Sequence, residues 1–346
     1  MSVTQNDLSH GSATQEHIAQ ALWHSRPGVC ELRSEALQPL GQDEVCVKAD
    51  FSGISRGTER LVLSGHVPVS EREHMRAPFQ AGPFSFPVKY GYSAAGRIID
   101  GPPDGIGQRV FCLYPHQDTF VVPSSAVTLV PDHIPLRRAT LAANMETALN
   151  ALWDAGVQPG SDIAVVGGGV VGLLTAHLAA RMPGVIVTLV DNNPLRSAIA
   201  EDLGLRFVLP GDLPRDCDVV FHTSASGGGL DTAIACAGIE ATVLEMSWYG
   251  DRAISAHLGG PLHSKRLRLV ASQVGRVAPT MRSRWSLRRR LDKAISLLDD
   301  SRLDCIVASD LPFANAAEMF PKVLASDYVE LPPVINYGRD SRNSFA

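Results

Sequence analysis

The sequence predicts an α/β protein in which a small β-rich lobe is joined to a doubly wound parallel sheet. Two observations carry this. From Ile18 to about Pro135 the chain runs in short β-branched segments broken by Gly and Pro, and beyond Pro135 apolar strands alternate with helical segments. A length of 346 residues adds a third, since it corresponds to roughly two domains.

The elements follow in order. EVCVKADFSG, AGRIID, QRVFCL, DTFVVP and AVTLVP read as the strands of the first lobe. LRRATLAANMETALNALWDAG then places apolar residues at Leu141, Ala148, Leu149 and Leu152, a helical spacing that stops at Gly156, and predicts one long helix bridging two domains. IAVVG, VIVTLVD, RFVL, DVVFHT, ATVLEM and RLRLVASQ are six candidate strands, with helices expected over 170–181, 194–203 and 229–237. Such alternation argues for right-handed βαβ units covered on both faces by helices. A basic helix over 287–298, a strand at CIVAS, the helix ANAAEMFPKVLA and a last strand PVINY exceed what such a sheet needs, so the chain is expected to return to its first lobe. The expected domains are 17–135, 136–285 and the return 286–338, with 1–16 and 339–346 expected to be disordered.

Composition narrows the function class. A net charge of −5, with 45% hydrophobic and 19% charged residues, excludes collagen, coiled coil and disorder and argues against nucleic-acid binding through overall charge. The six cysteines (Cys30, Cys46, Cys112, Cys217, Cys236 and Cys305) contain no Cys-x-x-Cys pair, which fits reduced thiols in a cytosol. Neither a basic, apolar leader nor an 18-residue apolar window is present, so a cytoplasmic protein without membrane contact is expected.

The strand ending at Val166 runs into Gly167-Gly168-Gly169-Val170-Val171-Gly172, a G-x-G-x-x-G, with a helix at once behind it. In such a loop the first glycine permits the tight turn, the second lets backbone approach a pyrophosphate, and the third lets helix and strand pack closely. The helix N-terminus adds free N–H groups. A glycine turn alone can simply join a strand to a helix. Here a second strand ends in Asp191, 19 residues after Gly172, where an acid reaches ribose hydroxyls. A dinucleotide is therefore the expected cofactor. Asp191 favours NAD(H), because a carboxylate repels a 2′-phosphate. Arg196 leaves NADP(H) open as a nearby cation, although a solvated helix residue is its simpler reading.

ALWHSRPGVCELR, DEVCVKADFSGIS, FPVKYGYSAAGRIID and QPGSDIAVVGGGVVGLLTAHLA resemble the medium-chain dehydrogenase/reductase superfamily over Ala21 to Tyr337. The resemblance implies a GroES-like catalytic domain and a Rossmann domain. It also marks departures. Zinc-dependent members hold a metal with a Cys, a His-Glu pair and a later acid or Cys, where this chain has Ser55, Tyr92-Ser93 and Ala143. Ser, Tyr and Ala are not a zinc donor set, so no metal is expected. A carboxylate-only site from Glu59 and Glu146 is a minor alternative. SGISRGTERLVLSG, GYSAAG and NMETALNAL are similar to a zinc-free branch that includes bacteriochlorophyllide dehydrogenases.

Without zinc, a substrate oxygen needs side-chain donors. The resemblance places Ser55, Thr58, Glu59, Tyr92, Ser93, Glu146 and Thr147 around the cleft, with Thr147 near the nicotinamide. Tyr92 stands where a metal-binding His would be and is a candidate general acid, or a structural aromatic filling that place. Glu59 reads either as an ion-pair partner of Arg56 or Arg60 or as one of two carboxylates converging with Glu146 on a dry cleft, which would leave a proton available. His66 is expected at the surface. Asn192, the turn Thr223-Ser224-Ala225 and the loop starting at Ser247 follow predicted strands, at the ends where such sheets bind ligands.

The segment 264–293 carries a local charge of +9 against −14 elsewhere. It reads as a solvated face, a subunit contact or a grip on an acidic substrate. A homodimer is expected from the superfamily, with Ala241–Met246 and RLRLVA as candidate pairing strands. The function expected is a zinc-independent NAD(H)-dependent oxidoreductase interconverting an alcohol and a carbonyl on a small or medium metabolite. The alternatives are an NADPH-dependent quinone or enoyl reductase, and a non-catalytic dinucleotide-binding sensor or structural protein.

Overall fold

The computed structural model describes residues 18–338, and the expectations for 1–16 and 339–346 lie outside it. Three sheets organise these residues. A small antiparallel sheet orders Val29–Ala36, Ile18–Arg26 and Val88–Lys89. A seven-stranded sheet runs Asp310–Pro312, Val334–Asn336, Glu44–Ser52, Ala94–Asp100, Arg109–Cys112 and Val127–Leu129, with Thr119–Pro123 also paired to Glu44–Ser52. The last strand among the described residues thus joins strands from the first third of the chain, as a return of the chain requires.

The third sheet is parallel throughout and has six strands: Arg206–Val208, Ile186–Val190, Asp162–Val166, Cys217–His222, Ala237–Glu245 and Arg268–Ala271. Counted along the chain its order is 3-2-1-4-5-6, so the winding reverses between Asp162–Val166 and Cys217–His222. A crevice opens at such a reversal, outside the carboxyl ends of the strands. Near-continuous burial of IAVV, VTLV and VVFH explains why these strands read as apolar runs rather than alternating ones. This is the α/β class the sequence predicts, a GroES-like lobe with a Rossmann sheet.

Three expectations are corrected. The bridging helix is two helices, Leu136–Ala139 and Ala142–Ala155. The Thr140 and Leu141 amides donate to the carbonyls of Arg137 and Arg138, tightening the turn, and the Thr140 hydroxyl donates to the Arg137 carbonyl as well. CIVAS is not a strand. Residues Ser301–Val307 form a 3-10 helix capped by Asp300, which buries Leu303, Ile306 and Val307 on one side, and the strand is the following Asp310–Pro312. Finally, Ala237–Glu245 lies between two neighbours, so of the two candidate pairing strands Arg268–Ala271 alone is an edge of that sheet, the opposite edge being Arg206–Val208.

The main core gathers where Ala142–Ala155 packs on Val170–Ala179 and Leu287–Ser296, against the strands Asp162–Val166 and Ile186–Val190. No helix among the described residues is long and apolar enough to cross a membrane.

Candidate functional site

The glycine loop sits at the sheet reversal. Gly167 has φ +114°, and a Cβ there would meet the Thr223 hydroxyl at 2.6 Å and the Ser224 amide nitrogen at 2.8 Å. A Cβ on Gly172 would lie 1.9 Å from the Gly167 carbonyl oxygen, so helix and strand close only over glycine. A Cβ on Gly169 would meet nothing, which leaves that backbone open to a ligand. Helix Val170–Ala179 starts here with Val171 in its first turn, and no side chain caps its N–H groups.

Asp191 follows Ile186–Val190 and takes the Gly168 amide on one oxygen at 2.5 Å and the Asn193 amide on the other at 2.7 Å. Both oxygens keep lone pairs for ribose hydroxyls. Asn192 is exposed beside it. Arg196 is not a solvated helix residue: it is buried, donates to the Val329 carbonyl at 2.9 Å, and has its basicity lowered by burial, with Asp191 opposing.

Across the reversal, the Thr223 hydroxyl donates to the Gly167 carbonyl at 2.8 Å. Ser224 Oγ lies 2.8 Å from His222 Nε2, and Ser247 Oγ accepts the Ala225 amide at 3.1 Å. Beneath this turn Glu245 meets His222 Nδ1 at 2.7 Å, the Tyr249 hydroxyl at 2.9 Å and the Ser247 amide at 2.8 Å. Burial alone would raise the Glu245 carboxyl, but His222 and Ser247 hold it below the usual range. His222 and Glu245 were not visible as site residues, since each is the last member of an apolar strand.

In the first lobe, Ser55, Thr58 and Glu59 come from the start of helix Arg56–Ser64, and Tyr92 follows the strand Val88–Lys89. Burial pushes the Tyr92 phenol up to about 12, with the Glu59 charge adding and the nearby hydroxyls of Ser55 and Thr58 opposing. Its ring meets Tyr90 edge-on at 6.0 Å. Glu59 pairs with neither Arg56 nor Arg60. It is fully buried, accepts the Ser55 amide at 2.6 Å and lies 2.9 Å from His116 Nε2. Arg56 instead donates to the carbonyls of Val323 and Ala325 at 3.1 and 2.6 Å. His116, a loop residue with no motif around it, is the functional candidate that sequence reasoning missed.

Glu146 does not converge with Glu59. It meets Arg290 at 2.9 Å, and burial raises its carboxyl with Arg290 opposing. The Thr147 hydroxyl turns back to the Ala143 carbonyl at 3.0 Å, and His66 is exposed beside Asp251 at 2.9 Å. Three arginines of the basic segment are matched nearby: Arg266 with Glu240, Arg288 with Asp292, and the Arg289 guanidinium over the Trp285 ring.

At the positions that the resemblance assigns to zinc ligands stand Ser55, Tyr92, Ser93 and Ala143. Ser93 Oγ is buried with no hydrogen-bond partner among the described residues, and no three His, Cys, Asp or Glu side chains gather there into a metal-holding group. Two hydroxyls, a phenol and a methyl do not fit zinc. The glycine cradle with Asp191, by contrast, fits a dinucleotide.

No protein-family profile matches the chain. A grapevine L-idonate 5-dehydrogenase is 30% identical over 128 residues, 36% of this chain and 34% of that protein. D-guloside 3-dehydrogenase of Escherichia coli is 24% identical over 80% of this chain and 88% of its own length. The 2-desacetyl-2-hydroxyethyl bacteriochlorophyllide A dehydrogenase of Cereibacter sphaeroides is 25% identical over 71% and 79%. Among solved structures, L-idonate 5-dehydrogenase of E. coli superposes with a TM-score of 0.76 at 13% identity, covering 93% of this chain and 99% of that one. A dehydrogenase of Sinorhizobium meliloti bound to NADP gives 0.73 at 17%, covering 93% and 100%. In fold, glycine cradle and sequence the chain is thus similar to alcohol-dehydrogenase-like oxidoreductases of the medium-chain dehydrogenase/reductase type.

Proposed function

We propose that the chain is a zinc-independent, NAD(H)-dependent oxidoreductase that interconverts an alcohol and a carbonyl on a small or medium metabolite. The observation that carries this is the pairing of a dinucleotide cradle with a cleft whose metal positions hold Ser55, Tyr92 and Ala143. The amides of Gly168, Gly169 and Val170 would face the pyrophosphate, and Asp191 the adenosine ribose. The bound nicotinamide supplies the hydride acceptor or donor. The protein handles the substrate oxygen and one proton. Tyr92, held protonated at neutral pH, donates a hydrogen bond to a carbonyl oxygen or a developing alkoxide, and Ser55 and Thr58 orient its hydroxyl.

The six cysteines are all free thiols, which suits a reducing cytoplasm. Arg196 supports a second reading. A buried guanidinium beside Asp191 suits a 2′-phosphate, as an NADPH-dependent quinone or enoyl reductase would need.

Fluorescence titration with NADH and NADPH separates the two readings, and NADPH binding the tighter overturns the first. Turnover with NAD+ and a panel of primary and secondary alcohols tests the activity, and Tyr92→Phe is expected to lose on the order of 10²-fold in kcat. Unchanged turnover in that variant removes Tyr92 as the acid. One zinc per chain by elemental analysis removes the metal-free claim.

A further inference from the structure

A buried chain of polar groups runs from Glu59 to Tyr337. Glu59 Oε2 lies 2.9 Å from His116 Nε2, His116 Nδ1 lies 2.7 Å from Ser52 Oγ, and Ser52 Oγ lies 2.9 Å from the Tyr337 hydroxyl. Glu59, His116 and Ser52 are each 0% exposed. The chain draws on four separate parts of the sequence: the end of strand Glu44–Ser52, the helix Arg56–Ser64, the loop before Thr119 and the residue after Val334–Asn336.

The pair also has a definite place. A Cβ on Gly91, at φ +125°, would come 3.0 Å from His116 Cδ2 and 3.1 Å from Nε2, so the imidazole lies directly behind the peptide that joins Tyr90 to Tyr92. Glu59 is close enough to Tyr92 that its charge helps push the phenol up, and its other oxygen takes the Ser55 amide at 2.6 Å. A carboxylate and an imidazole thus stand behind the phenol at the metal position of zinc-dependent relatives.

Burial of a carboxylate with a histidine is costly, and a well-packed apolar pair serves stability as well or better. The position and the continuation to Ser52 and Tyr337 need another reason. The other titratable groups around the pair are poor competitors for a proton. Burial holds His24 neutral to about pH 3, with His116 adding, while burial raises the Cys30 thiol to about 12 and holds the phenols of Tyr90 and Tyr337 protonated. The Asp118 carboxyl, raised by burial, is turned to the Gln20 amide at 2.9 Å.

We propose that Glu59 and His116 form a proton-holding pair behind Tyr92, fixed in place by Ser52 and Tyr337. The proposal rests on the alcohol–carbonyl reading. In oxidation, the substrate O–H bond breaks and its proton bonds to the Tyr92 oxygen. The Tyr92 proton passes to Glu59, where His116 shares it, while the carbinol hydride reduces the nicotinamide dinucleotide. The proton goes to solvent once product has left. Reduction runs the same transfers backwards. Glu59 holds the proton, and His116 is a positioning residue that acts through it.

Two measurements on the full chain test this. The first needs no turnover. In protein labelled with 15N-histidine, the resonance that disappears in His116→Gln is expected to show a ring proton protected from exchange, to move in Glu59→Gln, and to move at its other nitrogen in Ser52→Ala. A His116 ring proton that exchanges as fast as that of exposed His66, or that ignores Glu59→Gln, overturns the pair. The second uses NAD+ with the alcohol panel. His116→Ala is expected to lose on the order of 10²-fold in kcat, with added imidazoles restoring turnover in proportion to their basicity. Rescue that follows ring size instead, or no loss at all, overturns the proton role, and His66→Gln is the unaffected control. If the unaltered protein oxidises no alcohol with either nucleotide, the functional reading fails, and a protected, Glu59-dependent His116 then still supports the pair itself.

Discussion

Arg290 and Glu146 meet at 2.9 Å with their side chains 1% and 8% exposed, locking the basic helix Leu287–Ser296 to the buried face of Ala142–Ala155. The same guanidinium donates to Asn150 Oδ1 and to the carbonyls of Arg276 and Val274, so it also ties down the loop that leaves the sheet edge. Removing one partner strands a buried charge, which costs about 3–5 kcal/mol, whereas replacing both by apolar groups costs far less. Arg290→Leu is therefore expected to lose several kcal/mol in urea unfolding, and Glu146→Leu with Arg290→Leu to recover much of it. Equal losses in the single and double variants would show that the ion pair is not what holds this contact.

His24 predicts a sensitivity to acid. It is buried, neither ring nitrogen has a partner among the described residues, and burial with the nearby His116 depresses it from 6.5 to about 3. Its folded value lies below its unfolded one. The stability linked to it is therefore complete above pH 6.5 and is lost as the unfolded chain takes up a proton between 6.5 and 3. At pH 5 the loss amounts to about 2 kcal/mol. His177, lowered to about 4 by burial with Asp300 opposing, adds in the same direction. Denaturation of His24→Leu at pH 7 and pH 5 is expected to show a drop about 2 kcal/mol smaller than in the unaltered protein. An equal drop would move the acid sensitivity elsewhere.

The sheet and its cradle were legible because both rest on local chemistry. A strand entering Gly167–Gly172 and an acid after the next strand have few other uses, and Asp191 stands beside the loop, taking the Gly168 amide. The groups proposed to handle the proton were legible only in half. Glu59 was found through its segment, but His116 is 57 residues away in a loop, and nothing in PHQDT announces that it folds beneath Gly91. Arg290 was hidden in the opposite way. In a run of three arginines every member looks solvated, and only tertiary packing selects the one that turns inward to Glu146. Periodicity misled at Thr140 for a related reason, since apolar spacing continues through a turn whose hydrogen bonds have already tightened.

Two glycines of the cradle should fail in different ways. At Gly172 a methyl group would overlap the Gly167 carbonyl at 1.9 Å, so Gly172→Ala is expected to lower Tm and abolish nucleotide binding together. At Gly169 the same methyl meets no protein atom. Gly169→Ala is expected to keep its Tm and still bind NADH at least about tenfold more weakly, because the added carbon stands where a pyrophosphate approaches. Scanning calorimetry with NADH fluorescence titration reads both quantities. Full-strength binding in Gly169→Ala would place the phosphates elsewhere.

The parallel sheet ends at Arg268–Ala271, whose Leu269 and Val270 are 44% and 37% exposed and whose outer side has no neighbouring strand among the described residues. A free apolar edge invites pairing with another strand unless it is blunted by charge. A second copy of the chain offers the same strand about a two-fold axis, and that contact is self-complementary and closes at two subunits. The unaltered protein is therefore expected to scatter light as a dimer at micromolar concentration. Leu269→Lys combined with Val270→Lys is expected to give a monomer that still binds NADH, since neither side chain lies in the glycine cradle. A dimer that survives both lysines would have to be held by another surface, and a monomeric unaltered protein would leave this edge to a different cover.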